Sequence, residues 1–295
     1  MKNSTLLALL VSAVPVVAPA ETITGGLTLS YSQHSNDFGD LSTTGLDGRL
    51  AVDMDNGLSF GIDLGHGTMS PDGAPFDINA EFYSIDAAYR FGNGIRAGVF
   101  ADRLTLGVDG FPIDLTLKTN GVKLGYEGTG FEVEAFVGKT SLSIAIPVDI
   151  ENLGVSGHYT GVEGLDVGAT FLRSRLSNGG FSEDIDFKGA AATYMVSASL
   201  MVFGGVGQLD LLGIGDIDSM GLGVSYDLGA KMGFASSVSL ELGRTSLNGT
   251  DLDVIRLGLT VPLGKSGPVL PMSSVADAIL NPRHGAFNAG MTAGF

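Results

Sequence analysis

The stretch "AAYRFGNGIRAGVFA", residues 87–101, decides the fold of this chain. Apolar and polar residues alternate up to Phe91 and again from Ile95, and the segment between them contains Gly92-Asn93-Gly94. A period of two places successive side chains on opposite faces of a β-strand. A short Asn-Gly segment between two such runs is typical of a hairpin turn. The stretch therefore predicts two antiparallel strands joined by a tight turn, with Tyr89 just before it.

The same arrangement recurs along the chain. The equivalent positions are Val52, Tyr89, Tyr126, Tyr159, Tyr194, Tyr226 and Val261, with spacings of 37, 37, 33, 35, 32 and 35 residues. That period accommodates one hairpin of two membrane-crossing strands of about 9–11 residues each, one short turn and one longer connection. Seven such hairpins predict about 14 antiparallel strands, with about 16 or 12 as alternatives.

Composition favours a membrane barrel over a soluble domain. The chain combines 44% hydrophobic residues with 45 glycines and 16% charged residues, yet it has no long apolar helical run after the N-terminus. A barrel in an outer membrane shows this combination, because apolar residues face lipid and small polar residues face the lumen. The sequence therefore predicts an all-β, transmembrane, antiparallel up-and-down barrel with short periplasmic turns and longer external loops. The net charge of -16 excludes a nucleic-acid partner, which needs a basic patch.

The N-terminus has the pattern of a secretory signal. Lys2 precedes an apolar run from Leu6 to Val17, and Ala18-Pro19-Ala20 follows. The run is shorter than the roughly 20 residues of a membrane helix. We therefore expect residues 1–20 to be cleaved and residues 21–264 to form the barrel.

Residues 265–295 are predicted to be a separate tail. No alternation is visible from Lys265 to His284, and Ser274 predicts the N-cap of a short helix that continues through Leu280 and ends at Asn281-Pro282. Three positions are open for this tail: the periplasm, the lumen as a plug, or a final barrel strand.

Alternation assigns most charged residues to the inner face. The predicted inward cations are Arg49, Arg90, Arg96, Lys123 and Arg256, and the predicted inward anions are Asp53, Asp55, Asp63, Asp86, Asp102, Glu127, Glu132, Glu134, Asp166, Asp227 and Glu241. Ionisable groups in a membrane segment are tolerated where they meet water or each other. Five cations against eleven anions predict a pore-lining excess of six negative charges and a preference for cations. Pairing of these charges across the lumen is the alternative interpretation.

Tyrosine placement supports the membrane assignment. Tyr89, Tyr126, Tyr159, Tyr194 and Tyr226 each precede a predicted periplasmic turn. A tyrosine ring at a membrane interface can enter hydrocarbon while its hydroxyl group stays hydrated. These five residues are therefore predicted to lie at the membrane interface.

The chain resembles the Gram-negative porins and related outer-membrane channels. The C-terminal "GMTAGF" adds to this, since Met291, Ala293 and Phe295 alternate up to a terminal aromatic residue. The resemblance implies outer-membrane lipid as the surroundings, recognition of Phe295 by the barrel-assembly machinery, and passive diffusion of small hydrophilic solutes. The connection around Gly107 to Asp114 is short, unlike the long third loop of general porins. The inherited constriction is therefore not expected, and the oligomeric state stays open.

Other chemistry has weak support. The four histidines, His34, His66, His158 and His284, are scattered, so no metal or cofactor is predicted. Ser32, Ser70 and the nearby histidines are ordinary residues of polar loops, so no enzymatic activity is predicted. The main alternative function is a structural or adhesive barrel with a closed lumen, and a substrate-selective channel is a further one.

Overall fold

The computed structural model describes residues 20–36, 39–112, 114–144, 147–211, 215–247, 249–264 and 267–294. They form a closed antiparallel barrel of 14 strands, in which each strand pairs with its sequence neighbours and β1 pairs with β14. The predicted fold and strand number are confirmed. The predicted signal peptide, apart from Ala20, lies outside the described residues. The strands are β1 (Ala20–Asn36), β2 (Gly39–Met54), β3 (Leu58–Pro71), β4 (Ile78–Arg90), β5 (Ile95–Val108), β6 (Leu115–Gly128), β7 (Phe131–Leu142), β8 (Asp149–Val162), β9 (Leu165–Asn178), β10 (Phe181–Ser197), β11 (Leu200–Leu211), β12 (Gly215–Asp227), β13 (Ser237–Leu247) and β14 (Thr250–Leu263).

The predicted hairpin at residues 87–101 is present as β4, a tight turn and β5. The Phe91 amide donates to the Ile95 carbonyl at 2.8 Å, and the Asn93 side chain accepts from the Ile95 amide at 3.2 Å. Gly94 has a φ of 85°, and an added Cβ would lie 2.5 Å from the Glu127 carbonyl oxygen. Glycine is therefore required at this turn both by its positive φ and by the close approach of the end of β6.

The exterior of the barrel is apolar. Outward residues such as Ile85, Leu124, Leu222 and Ile255 are exposed, with Leu222 reaching 71%. A closed barrel pairs every strand with two neighbours and so has no open edge inside a membrane. The exposed apolar band on a closed sheet is thus the surface that an outer-membrane barrel presents to lipid.

The strands extend further into the predicted external loops than the sequence suggested. The polar stretch "QHSNDFGDLST", residues 33–43, predicts a long connection, but β1 continues to Asn36 and β2 begins at Gly39. Similarly, β9 ends at Asn178 and β10 begins at Phe181. Polar side chains do not stop a strand once it has left the apolar layer, since both of its faces can then meet water. On the periplasmic side, residues 228–236 form a longer turn that contains helix α1 (Gly229–Met232).

The tail enters the barrel and forms two helices, α2 (Val275–Leu280) and α3 (Ala286–Gly294). The predicted helix is confirmed: the Ser274 side chain accepts from the Asp277 amide at 3.1 Å, and α2 ends just before Pro282. Both helices pack against the inner wall at β9–β12. The final-strand alternative is wrong, because residues 286–294 are helical and satisfy their backbone within the lumen. Phe295 lies outside the described residues.

An apolar core lies inside the lumen, between the tail and the wall. Alternation had indicated a polar inner face, but large apolar side chains also point inward from β5 to β12. Phe187, Phe203, Leu172 and Ile279 are at most 1% exposed. The core consists of Phe100, Phe136, Leu172, Ile185, Phe187, Ala191, Phe203 and Leu209 from the wall and Val275, Ala276, Ala278, Ile279, Leu280, Ala286, Ala289 and Ala293 from the tail.

Candidate functional site

Four inward glycines shape the wall beneath α2, and we call them the glycine cradle. They are Gly168 on β9, Gly189 on β10, Gly205 on β11 and Gly221 on β12. An added Cβ would lie 2.5 Å from Leu280 at Gly168, and 2.7 Å and 3.0 Å from Ile279 at Gly189 and Gly205. Gly205 and Gly221 are direct register partners, so the cradle runs across neighbouring strands. The wall therefore fits the tail in shape.

The N-terminus of α2 is fixed by a buried ion pair. Glu241 accepts a hydrogen bond from the Val275 amide at 3.1 Å and also pairs with Arg256. The side chains of Glu241 and Arg256 are 3% and 5% exposed. Both had been predicted to line the pore, but they lie among the buried residues where the tail begins its helix. They hold the tail to the wall.

A second ion pair joins the middle of α2 to the opposite wall. Arg49 donates from Nη1 and Nη2 to the two carboxylate oxygens of Asp277, at 2.9 Å and 3.2 Å. The Nε of Arg49 donates to Asp63 at 2.6 Å, and Asn281 donates to Asp277 at 2.8 Å. Burial raises the pKa of the Asp277 carboxyl, an effect that Arg49 opposes. The charged pair thus carries a desolvation cost.

Residues 281–284 form a crossing segment, which leaves the cradle and reaches the wall at β2–β5. The Arg283 guanidinium lies 3.7 Å from the centroid of the Phe82 ring and 3.7 Å from Asp47. Burial lowers the pKa of Arg283. The His284 ring stacks on Phe100 at 3.6 Å, and its Nδ1 lies 3.1 Å from Asp102. The tail is therefore attached on both sides of the lumen.

Asp102 was predicted to line an open pore, but it is 4% exposed. Its carboxylate lies beside His284 and accepts from Ser84 at 2.7 Å. It anchors the crossing segment instead.

A cavity of about 890 Å³ lies between the tail and the wall, and we call it the lumen cavity. Its lining includes Gly128, Gly130 and Thr160 at the short-turn end, and the crossing segment bounds it further in. The cavity therefore reaches the periplasmic rim. The predicted pore residues in its lining are Arg49, Asp63, Asp86, Arg96, Lys123, Glu127, Glu132, Glu134 and Asp166.

The described lining of the lumen cavity holds more acidic than basic residues. It contains eight carboxylates, Asp47, Asp63, Asp86, Glu127, Glu132, Glu134, Asp166 and Asp277, and four cations, Arg49, Arg96, Lys123 and Arg283. Several of these groups are paired. Lys123 Nζ lies 2.8 Å from Asp86 and 3.7 Å from Glu134, and Arg96 contacts Glu132 and Glu134. Pairing leaves the net excess of carboxylates unchanged.

The remaining predicted pore residues lie near the short-turn rim. Arg90 forms an exposed ion pair with Glu127 at 2.7 Å. Asp227 accepts from the Gly229 amide at 2.8 Å and so fixes the turn that contains α1. Asp53 is half-buried near the end of β2, and Asp55 is exposed in the following turn. The alternation of apolar and polar residues predicted that these side chains point inward. Because they lie at or beyond the ends of strands, they are at or near the edge of the lumen.

The five predicted interface tyrosines lie on the outer surface near the ends of β4, β6, β8, β10 and β12. They are 40–49% exposed and face outward: Tyr89, Tyr126, Tyr159, Tyr194 and Tyr226. Phe91 and Phe131 stand beside Tyr89 and Tyr126, with ring centroids 5.0 Å and 5.8 Å apart. An outward belt of aromatic rings thus surrounds the short-turn end.

Sequence reasoning missed four charged or aromatic residues at this site: Asp47, Asp277, Arg283 and His284. Asp47 lies two residues before Arg49 on the same inward face, so extending the alternation toward Gly39 would have found it. The three tail residues are in segments without a period of two. Their charges gave no indication of which wall they would meet.

The described ranges contain no group of three or more His, Asp or Glu residues placed to hold a metal ion. They also contain no helix that is long and apolar enough to cross a membrane.

Solved structures with the same fold are outer-membrane proteins. An anion-selective porin from Comamonas acidovorans matches 82% of this chain and 98% of its own, at 10% identity and a TM-score of 0.53. A Pseudomonas aeruginosa FadL homologue matches 82% and 90%, at 12% identity and 0.52, and the Ralstonia pickettii toluene transporter TbuX matches 82% and 89%, at 13% and 0.52. No family model and no curated protein matches the chain. These similarities show an outer-membrane β-barrel fold of the porin and channel type.

Proposed function

We propose that this protein is an outer-membrane channel for small hydrophilic solutes and ions, and that its C-terminal tail is the plug. The observation that carries the proposal is a polar lumen cavity that reaches the periplasmic rim and is bounded by a segment of the same chain. The obstruction is therefore a separate segment seated in the barrel, and displacing it would lengthen the cavity toward a continuous path.

The size of the barrel supports permeation by small solutes. Barrels of about 8 strands are filled by their own side chains, whereas those of about 16–18 strands leave an aqueous channel. A barrel of 14 strands is intermediate, and here two helices occupy part of its interior. The expected solutes are therefore ions and small polar molecules.

The charge of the lining supports a preference for cations. Eight carboxylates face four cations around the lumen cavity. Rings of acidic side chains favour cations in passive pores, since they raise the local cation concentration. The proposed pore-lining residues are those of the cavity lining, while Asp102, Glu241 and Arg256 have anchoring roles.

The surroundings of the barrel follow from its exterior. The apolar band would contact outer-membrane lipid, and the tyrosine belt would lie at the periplasmic interface. Phe295 remains the proposed signal for the barrel-assembly machinery.

Single-channel recording tests the proposal. Residues 21–295 and a variant truncated after Gly264 would be refolded and inserted into planar bilayers under a salt gradient. We expect small or intermittent currents from the full chain, larger steady currents from the truncated barrel, and a reversal potential on the cation-selective side. A folded truncated barrel that carries no current would contradict the channel function.

A closed structural or adhesive barrel is the second candidate. The close fit of the glycine cradle to α2 favours it, since a plug that never leaves needs such a fit. Absence of current from both proteins, with folding verified by heat-dependent electrophoretic mobility, would select this function.

A further inference from the structure

The lumen cavity has two chemically different sides. Its acidic side comes from the inner faces of β4, β7 and β9. Its apolar side comes mainly from the tail, which is seated against the wall at β9–β12. The acidic side carries Asp86, Glu132, Glu134 and Asp166, and the apolar side carries Val269, Leu270, Met272, Ala278, Leu280 and Pro282.

The acidic side is incompletely neutralised. Arg96 is shared between Glu132 and Glu134, and Lys123 is shared between Asp86 and Glu134. Two cations therefore pair with three carboxylates. The fourth, Asp166, lies 3.5 Å from His158, whose imidazole is a charged partner only when protonated. A half-enclosed site with surplus carboxylates gains free energy when a cation enters it.

We propose that the lumen cavity binds an amphipathic organic cation, a primary amine carried on a compact apolar body. The ammonium group would lie among Glu132, Glu134 and Asp166, and the body would contact Leu280 and Pro282. This inference rests on the proposed channel function, since it names the class of solute that the cavity on the permeation path retains. The volume of 890 Å³ is within the roughly 300–1,000 Å³ of small-molecule sites.

Other ligand classes fit the cavity less well. In the described part of the chain, the carboxylates do not converge in a group that could hold a metal ion. Arg96 and Lys123 lie between these carboxylates and keep them apart. A bulky cation that contacts several carboxylates from one side fits this arrangement better than a small ion does. An anion would meet the surplus negative charge, and an uncharged apolar molecule would desolvate carboxylates without replacing their contacts. The amine and the apolar body are therefore both required.

Isothermal titration calorimetry on the full mature chain in detergent micelles tests the inference. The probe is 2-phenylethylammonium, and the matched comparators are 2-phenylethanol, phenylacetate and ethylammonium. We expect the probe to bind at least about tenfold more tightly than each comparator, because each lacks the charge, its sign or the apolar body. Equal affinity for 2-phenylethanol, which reports partition into micelles, would overturn the inference.

Two sets of variants locate the binding site. Glu132→Gln combined with Glu134→Gln should weaken probe binding about tenfold. Asp166→Asn, which leaves Arg96 and its partners intact, should also weaken it. The control is Glu151→Gln, since Glu151 is 61% exposed on the outer surface beside Lys139. An equal loss in the control, or unchanged affinity in both Asp166→Asn and the double variant, would show that the probe binds elsewhere.

The calorimetry does not depend on current. Selective binding by a protein that carries no current would contradict the channel function and still support the cation site. Current without selective binding would contradict the cation site and still support the channel function.

Discussion

Replacing Gly205 with leucine should release the C-terminal tail from the barrel wall. A Cβ at this position would lie 3.0 Å from Ile279 Cδ1 and 3.2 Å from the backbone Cα of Ala276, and leucine adds three further carbons. The side chain and α2 cannot occupy the same space. Either the contact stays overpacked, at about 1–3 kcal/mol, or Ile279 leaves its slot and loses about 1.5–3 kcal/mol of burial.

Both outcomes weaken tail docking by about 2 kcal/mol, which corresponds to roughly a 30-fold change in the ratio of undocked to docked tail. Single-channel recordings measure this ratio as the ratio of open to closed dwell times. Limited proteolysis measures it independently, because a protease added at the periplasmic end reaches the tail only when the tail is undocked. The control is Ala190→Leu, which places the same side chain on the lipid-facing side of the adjacent strand.

A compensating substitution separates loss of fit from general damage. Ile279→Ala alone should also weaken docking, by about 2–5 kcal/mol. Combined with Gly205→Leu, it makes room for the new leucine, so the two effects should be strongly non-additive. The reasoning is refuted if Gly205→Leu behaves like Ala190→Leu in both assays, or if the double variant shows the sum of the two single effects.

Three further predictions concern the charges and the cap. Glu132→Gln combined with Glu134→Gln should move the reversal potential of the open channel toward zero, because it removes half of the net negative charge of the cavity lining; an unchanged potential would place the selectivity elsewhere. Burial raises the pKa of Asp277 in the docked tail above its value in the free tail. Docking is therefore coupled to proton uptake and should tighten as the pH falls from about 7 to about 4. Asp277→Asn should reduce this pH dependence of the open and closed dwell times. Ser274→Ala removes the N-cap of α2 and should increase proteolysis of the tail, by an amount equivalent to about 1 kcal/mol; Ser273→Ala is the neighbouring control.

The barrel itself was predictable because lipid imposes a strict condition on each strand. One face of every membrane-crossing strand must be apolar, so alternation persists from β1 to β14 and the repeat fixes the number of hairpins. Tyr89 and its equivalents mark the ends of the same strands. Strand ends were less predictable, since a strand that continues into water needs no alternation, as Gln33 and Ser42 show.

The plug could not be located from sequence. Ser274 and Pro282 defined the ends of α2, but the helix has six residues, all buried, and no polar face that would indicate its surroundings. Its partners are glycines, which leave no apolar signal in the wall. Phe100, Phe136 and Phe187 did offer a signal, because inward aromatic residues in a barrel need an apolar neighbour. Their presence on β5, β7 and β10 was evidence that something fills that side of the lumen.

The two attachments of the tail differ in kind, and this difference decides where the lumen opens. At the cradle, Ile279 and Leu280 of α2 are held by dry apolar contacts that salt does not screen. The crossing segment is held by Arg283 and His284 through partly polar contacts, and both residues line the lumen cavity. Charged contacts beside water are screened and exchange partners with it more readily than a packed core does. We therefore expect undocking to begin at residues 281–284, before α2 leaves the cradle, so that the lumen widens first along the acidic wall and conducts once α2 has followed.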